Sequence, residues 1–246
     1  MKSEMGEDQE IVLVPSGTVL IEHTPSGKPF APWGQQGGQG DDDNGESDKQ
    51  GTKGNTAKFT ERCSSDILRL VSPMLNTSLD RRWVGWKESG PDNQGIRHVE
   101  LKGFDSVALH YVLNILHHQA DLNPERLTVE GLAKMAVIVH HLGCHQAFVP
   151  VSKLWAADYQ GLPKSGFSRD VVLWLLVSTV FAMRPIFDSA ATMAIKEATG
   201  PLDTLGLPIE ERVVGEWSEA IVFSMLCIFC LKMRGAKTNS WVAQRW

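Results

Sequence analysis

The chain has 246 residues, of which 42% are hydrophobic, and it carries a formal net charge of −5. This hydrophobic content is sufficient for a packed core, whereas the negative charge excludes the basic surface that general nucleic-acid binding requires. The four cysteines are too few for a disulfide framework in a chain of this length. Residues 1–10 are acidic and lack the apolar segment of a secretory signal, so we expect an intracellular protein, either cytoplasmic or nuclear.

The two longest apolar runs, residues 171–182 and 220–231, bear on membrane association. Both are shorter than the about 18–20 residues that cross a bilayer. We therefore interpret them as buried helices, and we expect the partners of this protein to include neither membranes nor nucleic acids.

Two strands are predicted after a disordered N-terminus at residues 1–10. Residues 11–14 and 18–21 are short aliphatic and β-branched runs separated by Pro15-Ser16-Gly17, the turn chemistry of a hairpin or a bent strand. This pattern predicts strand structure close to the start of the chain.

A disordered insertion is predicted from about residue 25 to about residue 56. The segment is rich in Gly, Gln, Asp, Ser and Lys and lacks the apolar side chains that offset the entropy cost of ordering. Phe30 and Trp33 are exceptions. We favour their interpretation as stray aromatic side chains in a flexible loop, and docking on a neighbouring element is the alternative.

The next elements are predicted from apolar periodicity and capping residues. Residues 65–75, interrupted by Pro73, have the spacing of a short helix followed by a second helical turn. Residues 98–101 alternate like a half-buried strand, and Asp105 can cap the helix that follows. That helix is predicted to bury a broad apolar face: Val107, Leu109, Tyr111, Val112, Leu113, Ile115 and Leu116.

The rest of the chain is predicted to be helical. Thr128 can begin a helix that Gly143 ends, and another helix should follow at residues 145–159. That second helix is predicted to hold Phe148, Val149, Leu154 and Trp155 inside. After a break at 161–166, three further helices are expected at 169–183, 186–198 and 209–233.

Two stretches resemble BTB/POZ domains of the fungal type. In the first, Phe59 precedes residues 64–75, whose Ser-Ser, Leu and Ser-Pro spacing is similar to that family's strand, helix and Ser-Pro turn. In the second, residues 98–117 resemble the family's later strand and helix, although His117-His118-Gln119 replaces the usual Tyr-Thr-Gly-like ending. Residues 169–233 resemble the helical extension of similar fungal proteins.

The resemblance implies an α+β fold with a small sheet and a helical cluster. The BTB/POZ-like domain would cover residues 11–160, including the insertion, followed by an all-helical extension at 161–233 and a polar tail at 234–246. The chain departs from the family pattern at Thr18, where an Asp often follows the Gly of the first hairpin. The resemblance therefore does not carry over a charged pocket built around that Asp, or any dimer contact that depends on it.

The resemblance also implies a non-enzymatic protein-interaction module. Self-association and service as an adaptor for a cullin-type ubiquitin ligase are the two uses it implies, with contacts expected at Ile67, Leu70, Met74 and the helix at 107–116. Trp83 and Trp86 lie in a polar segment and are candidates for anchoring at an interface, with local loop packing as the alternative. The sequence predicts no catalytic residues, no cofactor and no resident metal.

A zinc-stabilised protein is the alternative function. His140, His141, Cys144 and His145 form the densest cluster of side chains that suit zinc, but no second ligand pair follows at a finger-like distance. Ser64 and Ser72 lack the sequence context of a nucleophile, so we interpret them as helix caps. Cys227 and Cys230 lie in an apolar run and are interpreted as buried thiols. A divergent copy without a retained partner is a third interpretation.

Overall fold

The structure is a computed structural model, and it describes residues 10–25, 27–33, 59–80, 91–93, 95–119, 128–157, 159, 161–162, 166–197 and 203–209. Over these residues the fold is mixed α+β, with four strands in one sheet and seven helices. The strands are β1 (Glu10–Val12), β2 (Val19–Thr24), β3 (Phe59–Cys63) and β4 (Arg97–Lys102). The helices are α1 (Ser65–Val71), α2 (Pro73–Ser78), α3 (Ser106–Leu116), α4 (Val129–Leu142), α5 (His145–Ala157), α6 (Arg169–Val180) and α7 (Arg184–Glu197).

The sheet has the strand order β1-β3-β2-β4. Strand β2 pairs antiparallel with β3 on one side and parallel with β4 on the other, and β1 pairs parallel with β3. The predicted hairpin or bent strand at residues 11–21 is therefore wrong, because β3 lies between β1 and β2. Both strands were recognisable locally, but the strand that separates them comes about forty residues later, beyond the reach of turn chemistry.

The chain crosses the end of β3 between β1 and β2. The backbone amides of Leu13 and Val14 both donate to the Arg62 carbonyl, each at 3.1 Å. Gly17 then lies so close to β3 that a Cβ atom there would be 2.5 Å from the Cys63 carbonyl oxygen. Glycine is required at this position because only a residue without a side chain fits against that backbone.

One face of the sheet packs on the helices. Along β2 the buried positions alternate, with Val19, Ile21 and His23 facing inward. On β3, Glu61 is also buried, and it accepts a hydrogen bond from His110 Nδ1 of α3 at 3.3 Å. Its burial raises the pKa of this carboxyl group. A polar contact thus joins α3 to the sheet, which the strand pattern did not predict.

Capping residues set the ends of the central helices as predicted. Asp105 accepts from the Ala108 amide at 3.0 Å at the start of α3, and Thr128 accepts from the Gly131 amide at 3.1 Å at the start of α4. Gly143 ends α4 in the left-handed conformation, with φ of 67°. The physical reason is that side-chain oxygens and a left-handed residue satisfy backbone groups left without partners at helix ends.

Helix α6 packs between α4 and α7. It carries Val and Leu around most of its circumference, so it is buried on several sides. The predicted helices at 169–183 and 186–198 are confirmed as α6 and α7. The helix predicted at 209–233 and the polar tail lie outside the described residues, apart from Ile209.

Phe30 and Trp33 dock on the helical part of the chain. Arg169 of α6 donates from Nη2 to the Phe30 carbonyl and from Nε to the Ala31 carbonyl, both at 2.8 Å, and Ala31 is buried. The Trp33 ring meets the Phe167 ring edge-on at 5.8 Å between centroids. The favoured interpretation of stray loop aromatics is thus wrong. The contacting residues, Arg169 and Phe167, lie more than a hundred residues later, so the local sequence could not indicate them. Residue 26 and residues 34–56 of the predicted insertion lie outside the described residues.

Candidate interaction surfaces

The α1–α2 surface, defined by Ile67, Leu70 and Met74, lies on a pair of short capped helices. Ser64 Oγ accepts from the Ile67 amide at 3.5 Å to begin α1, and Ser72 Oγ accepts from the Leu75 amide at 3.1 Å to begin α2. Pro73 occupies the first turn of α2, where its fixed φ suits a helix start. The interpretation of both serines as caps is confirmed.

These helices turn one side to the core and leave the other open. Leu68 and Leu75 are fully buried, Ile67 and Met74 are half-buried, and Met74 packs against the core. Leu70 is 86% exposed, which is the largest exposure among the described large hydrophobic residues. Three predicted interaction residues thus share one region of α1 and α2. Trp83 and Trp86 lie outside the described residues.

Buried hydrogen bonds hold the α1–α2 pair on the rest of the protein. Ser72 Oγ, fully buried, donates to the Leu142 carbonyl at the end of α4 at 2.6 Å. His117 Nδ1 donates to the Leu113 carbonyl at 2.8 Å, and His117 Nε2 accepts from the Ser64 amide at 3.1 Å. Burial lowers the pKa of His117, which agrees with a neutral ring that uses one nitrogen as donor and the other as acceptor.

The apolar residues that the sequence placed on one buried face of the helix at 107–116 are not all buried. Leu109, Val112, Leu113, Ile115 and Leu116 are buried as predicted, but Val107 is 64% exposed. On α5, Phe148 and Trp155 are inside as predicted, whereas Val149 and Leu154 are 40% and 52% exposed. The prediction was wrong at these three positions, because apolar character alone does not tell which side of a helix a neighbour will cover.

A cavity of about 520 Å³ lies where three helices begin, and we call it the junction cavity. It lies between the first turns of α3, α4 and α6, next to the Phe30–Ala31 segment that Arg169 holds. Its walls consist of Asp105, Val107, Ala108, Tyr111, Thr128, Val129, Glu130, Gly131, Lys134, Met135, Arg169 and Asp170. The sequence analysis missed this cavity, since it forms between segments far apart in the chain.

Ion pairs fix most charges of the junction cavity. Lys134 Nζ lies 3.0 Å from Asp105 Oδ2 and 3.0 Å from Glu130 Oε1, while Arg169 Nη2 lies 3.0 Å from Glu130 Oε2. The hydrogen bond from Lys134 is the largest cause that lowers the pKa of Glu130, and Arg169 adds to it. The i, i+4 spacing of Glu130 and Lys134 is the one part of this network that sequence could have indicated.

The four side chains of the zinc hypothesis are not brought together. Cys144 is buried, its Sγ lies 3.9 Å from the Val139 carbonyl oxygen, and burial raises the pKa of its thiol to about 12. His140 and His141 are exposed, and the His140 ring meets the His145 ring edge-on. Within the described ranges, no three His, Cys, Asp or Glu side chains are placed to hold a metal ion. Cys227 and Cys230 lie outside those ranges.

No protein-family model matches the sequence, and no curated protein is significantly similar to it. Among the helices of the described part, none is long and apolar enough to cross a membrane.

Proposed function

We propose that the chain is a BTB/POZ-like protein-interaction module that acts through the α1–α2 surface. The observation that carries the proposal is Leu70, which is 86% exposed on a helix whose opposite side is fixed in the core. Leu70 adds to the apolar surface that the half-buried Ile67 and Met74 leave open on the same pair of helices, and a partner protein can cover such a surface. The helix pair is also capped and bonded to α4 through Ser72, so little ordering entropy opposes binding there.

The order of elements supports the family proposal. An antiparallel strand pair, β2 and β3, is followed by the α1–α2 pair with its Ser-Pro turn. Strand β4 and helix α3 come next, in the order that the resemblance implied, and further helices follow. Self-association and adaptor service for a cullin-type ubiquitin ligase are the two activities we propose for the module.

Light scattering tests self-association. We expect the purified full-length chain to form a dimer as its concentration rises, and Leu70→Glu to remain monomeric, because a charge at the centre of the contact must lose its hydration. Leu154→Glu is the matched control, since it changes an exposed leucine of α5 in the same way. A wild-type chain that stays monomeric at high concentration contradicts the self-association proposal, and so does equal dissociation of both variants.

A binding assay with the N-terminal domain of a cullin tests the adaptor proposal. We expect saturable binding of the wild-type chain by calorimetry. Absence of binding by a chain that is folded, as judged by its circular dichroism, contradicts the adaptor proposal and leaves self-association to be decided by light scattering.

A further inference from the structure

The junction cavity combines apolar walls with an unbalanced charge. Val107 at its edge is 64% exposed, while Tyr111 and Val129 are half-buried and Met135 is buried. Three acidic side chains, Asp105, Glu130 and Asp170, face two basic ones, Lys134 and Arg169. The formal charges of these five side chains therefore sum to −1.

The excess charge belongs to Asp170. Asp105 and Glu130 pair with Lys134, and Glu130 also pairs with Arg169. Asp170 is half-buried in the first turn of α6 and forms no ion pair with the described residues. Among the charged side chains that line the cavity, Asp170 is the one without an ion-pair partner in the described part of the chain.

We propose that the junction cavity accepts a cationic side chain, arginine or lysine, from a partner protein, with the aliphatic part of that side chain against Val107 and Tyr111. The cationic end meets Asp170 in a charge-assisted hydrogen bond, and an arginine also stacks on the Tyr111 ring. The inference rests on the proposed function only for the statement that the partner is a protein.

A cation fits better than an anion, although three helix N-termini converge here. Side-chain oxygens of Asp105 and Thr128 already accept from first-turn amides of α3 and α4. Lys134 is held between two carboxylates, and Arg169 is held by Glu130 and by the Phe30 and Ala31 carbonyls. An anion would meet no unpaired cation and would approach three carboxylates, so its binding is opposed.

The test uses n-butylguanidinium as the probe and NMR of the ¹⁵N-labelled full-length chain as the readout. A ligand of this size is expected to bind in the millimolar range. We expect saturable shifts at the amides of Val107, Ala108, Gly131 and Asp170, and none with butanoate, which reverses the charge. Asp170→Asn should weaken the binding about tenfold, because a hydrogen bond to a charged group is replaced by a neutral one.

Asp66→Asn is the matched control. Asp66 is also acidic, lies in the first turn of α1 and forms no ion pair with the described residues, but it does not line the cavity. Both changes remove a carboxylate that favours the positive end of a helix, so they should cost similar stability. Wild-type affinity in Asp66→Asn supports the proposal.

Three outcomes overturn it: no saturable shift at the cavity amides, equal affinity of Asp170→Asn and wild type, or equal shifts with butanoate. The readout does not depend on oligomeric state, so failure here leaves the test of Leu70 unaffected. Failure of the Leu70 test likewise leaves the cavity result valid.

Discussion

At the scale of single residues, His117 is the most informative side chain because its two ring nitrogens join α3 to the start of α1. Protonation of Nε2 removes the acceptor for the Ser64 amide. Because burial lowers the pKa of His117 in the folded state, the unfolded chain binds the proton more readily at pH values below about 6.5. The contribution of His117 to stability is thus complete above about pH 6.5 and is lost as the pH falls towards the folded pKa.

We expect the free energy of unfolding to decrease more steeply from pH 7 to pH 5 in the wild type than in His117→Gln, which cannot titrate. Urea unfolding at a series of pH values measures both slopes. His141→Gln, a change at an exposed histidine on α4, should keep the wild-type slope. Equal slopes for wild type and His117→Gln would show that His117 does not cause the pH dependence.

At the scale of elements, the Ser-Pro turn between α1 and α2 links three helices. Ser72 caps α2 and donates to the last carbonyl of α4, whereas Ser64 caps α1 through a longer contact and is half-buried. Loss of the Ser72 hydroxyl removes a cap and leaves the Leu142 carbonyl without this donor in a buried place. Loss of the Ser64 hydroxyl removes only a cap.

We therefore expect Ser72→Ala to lower the free energy of unfolding by about 2–3 kcal/mol and Ser64→Ala by about 0.5–1 kcal/mol. Chemical denaturation of both variants gives the comparison. If both substitutions lower the free energy of unfolding by the same amount, the bond from Ser72 to α4 contributes nothing to stability. The α1–α2 surface would then be less firmly held than the geometry indicates.

At the scale of the whole molecule, Arg169 joins parts of the chain that are far apart in sequence. Its guanidinium contacts the Phe30–Ala31 segment, near the start of the predicted insertion, and Glu130 on α4, while the residue itself begins α6. Helix α6 also packs on α4 and on α7, so α6 and α7 are not separate from the helices that follow the sheet. A boundary drawn near residue 160 divides the sequence but not the packing of the described residues.

We expect Arg169→Ala to destabilise the protein by about 1–2 kcal/mol and to speed amide hydrogen exchange at residues 28–33. Hydrogen exchange followed by mass spectrometry measures the second effect. Arg184→Ala is the control, because Arg184 is 83% exposed and its ion pair among the described residues is with Asp188 one turn away, a contact worth less than about 0.5 kcal/mol. Unchanged exchange at residues 28–33 in Arg169→Ala would show that other contacts hold this segment.

Local chemistry determined much of the secondary structure. The caps at Ser64, Asp105 and Thr128 and the left-handed end of α4 at Gly143 depend on residues within one helical turn, so the sequence alone located them. The apolar period of α4 and the apolar run of α6 were likewise sufficient to predict buried helices. Of the α1–α2 surface, sequence and resemblance indicated the residues, but not that Leu70 is so much more exposed than Ile67 and Met74.

Only the tertiary structure decided what depends on contacts between distant segments. Strand β3 lies between β1 and β2, and Phe30 docks on Arg169, because segments far apart in the chain come together. Val107 is exposed because no described segment covers that side of α3. The junction cavity has the same origin, since its walls come from three helix starts spread between Asp105 and Asp170. Patterns of period two or 3.6 report which side of an element is apolar, while burial depends on which neighbour covers that side.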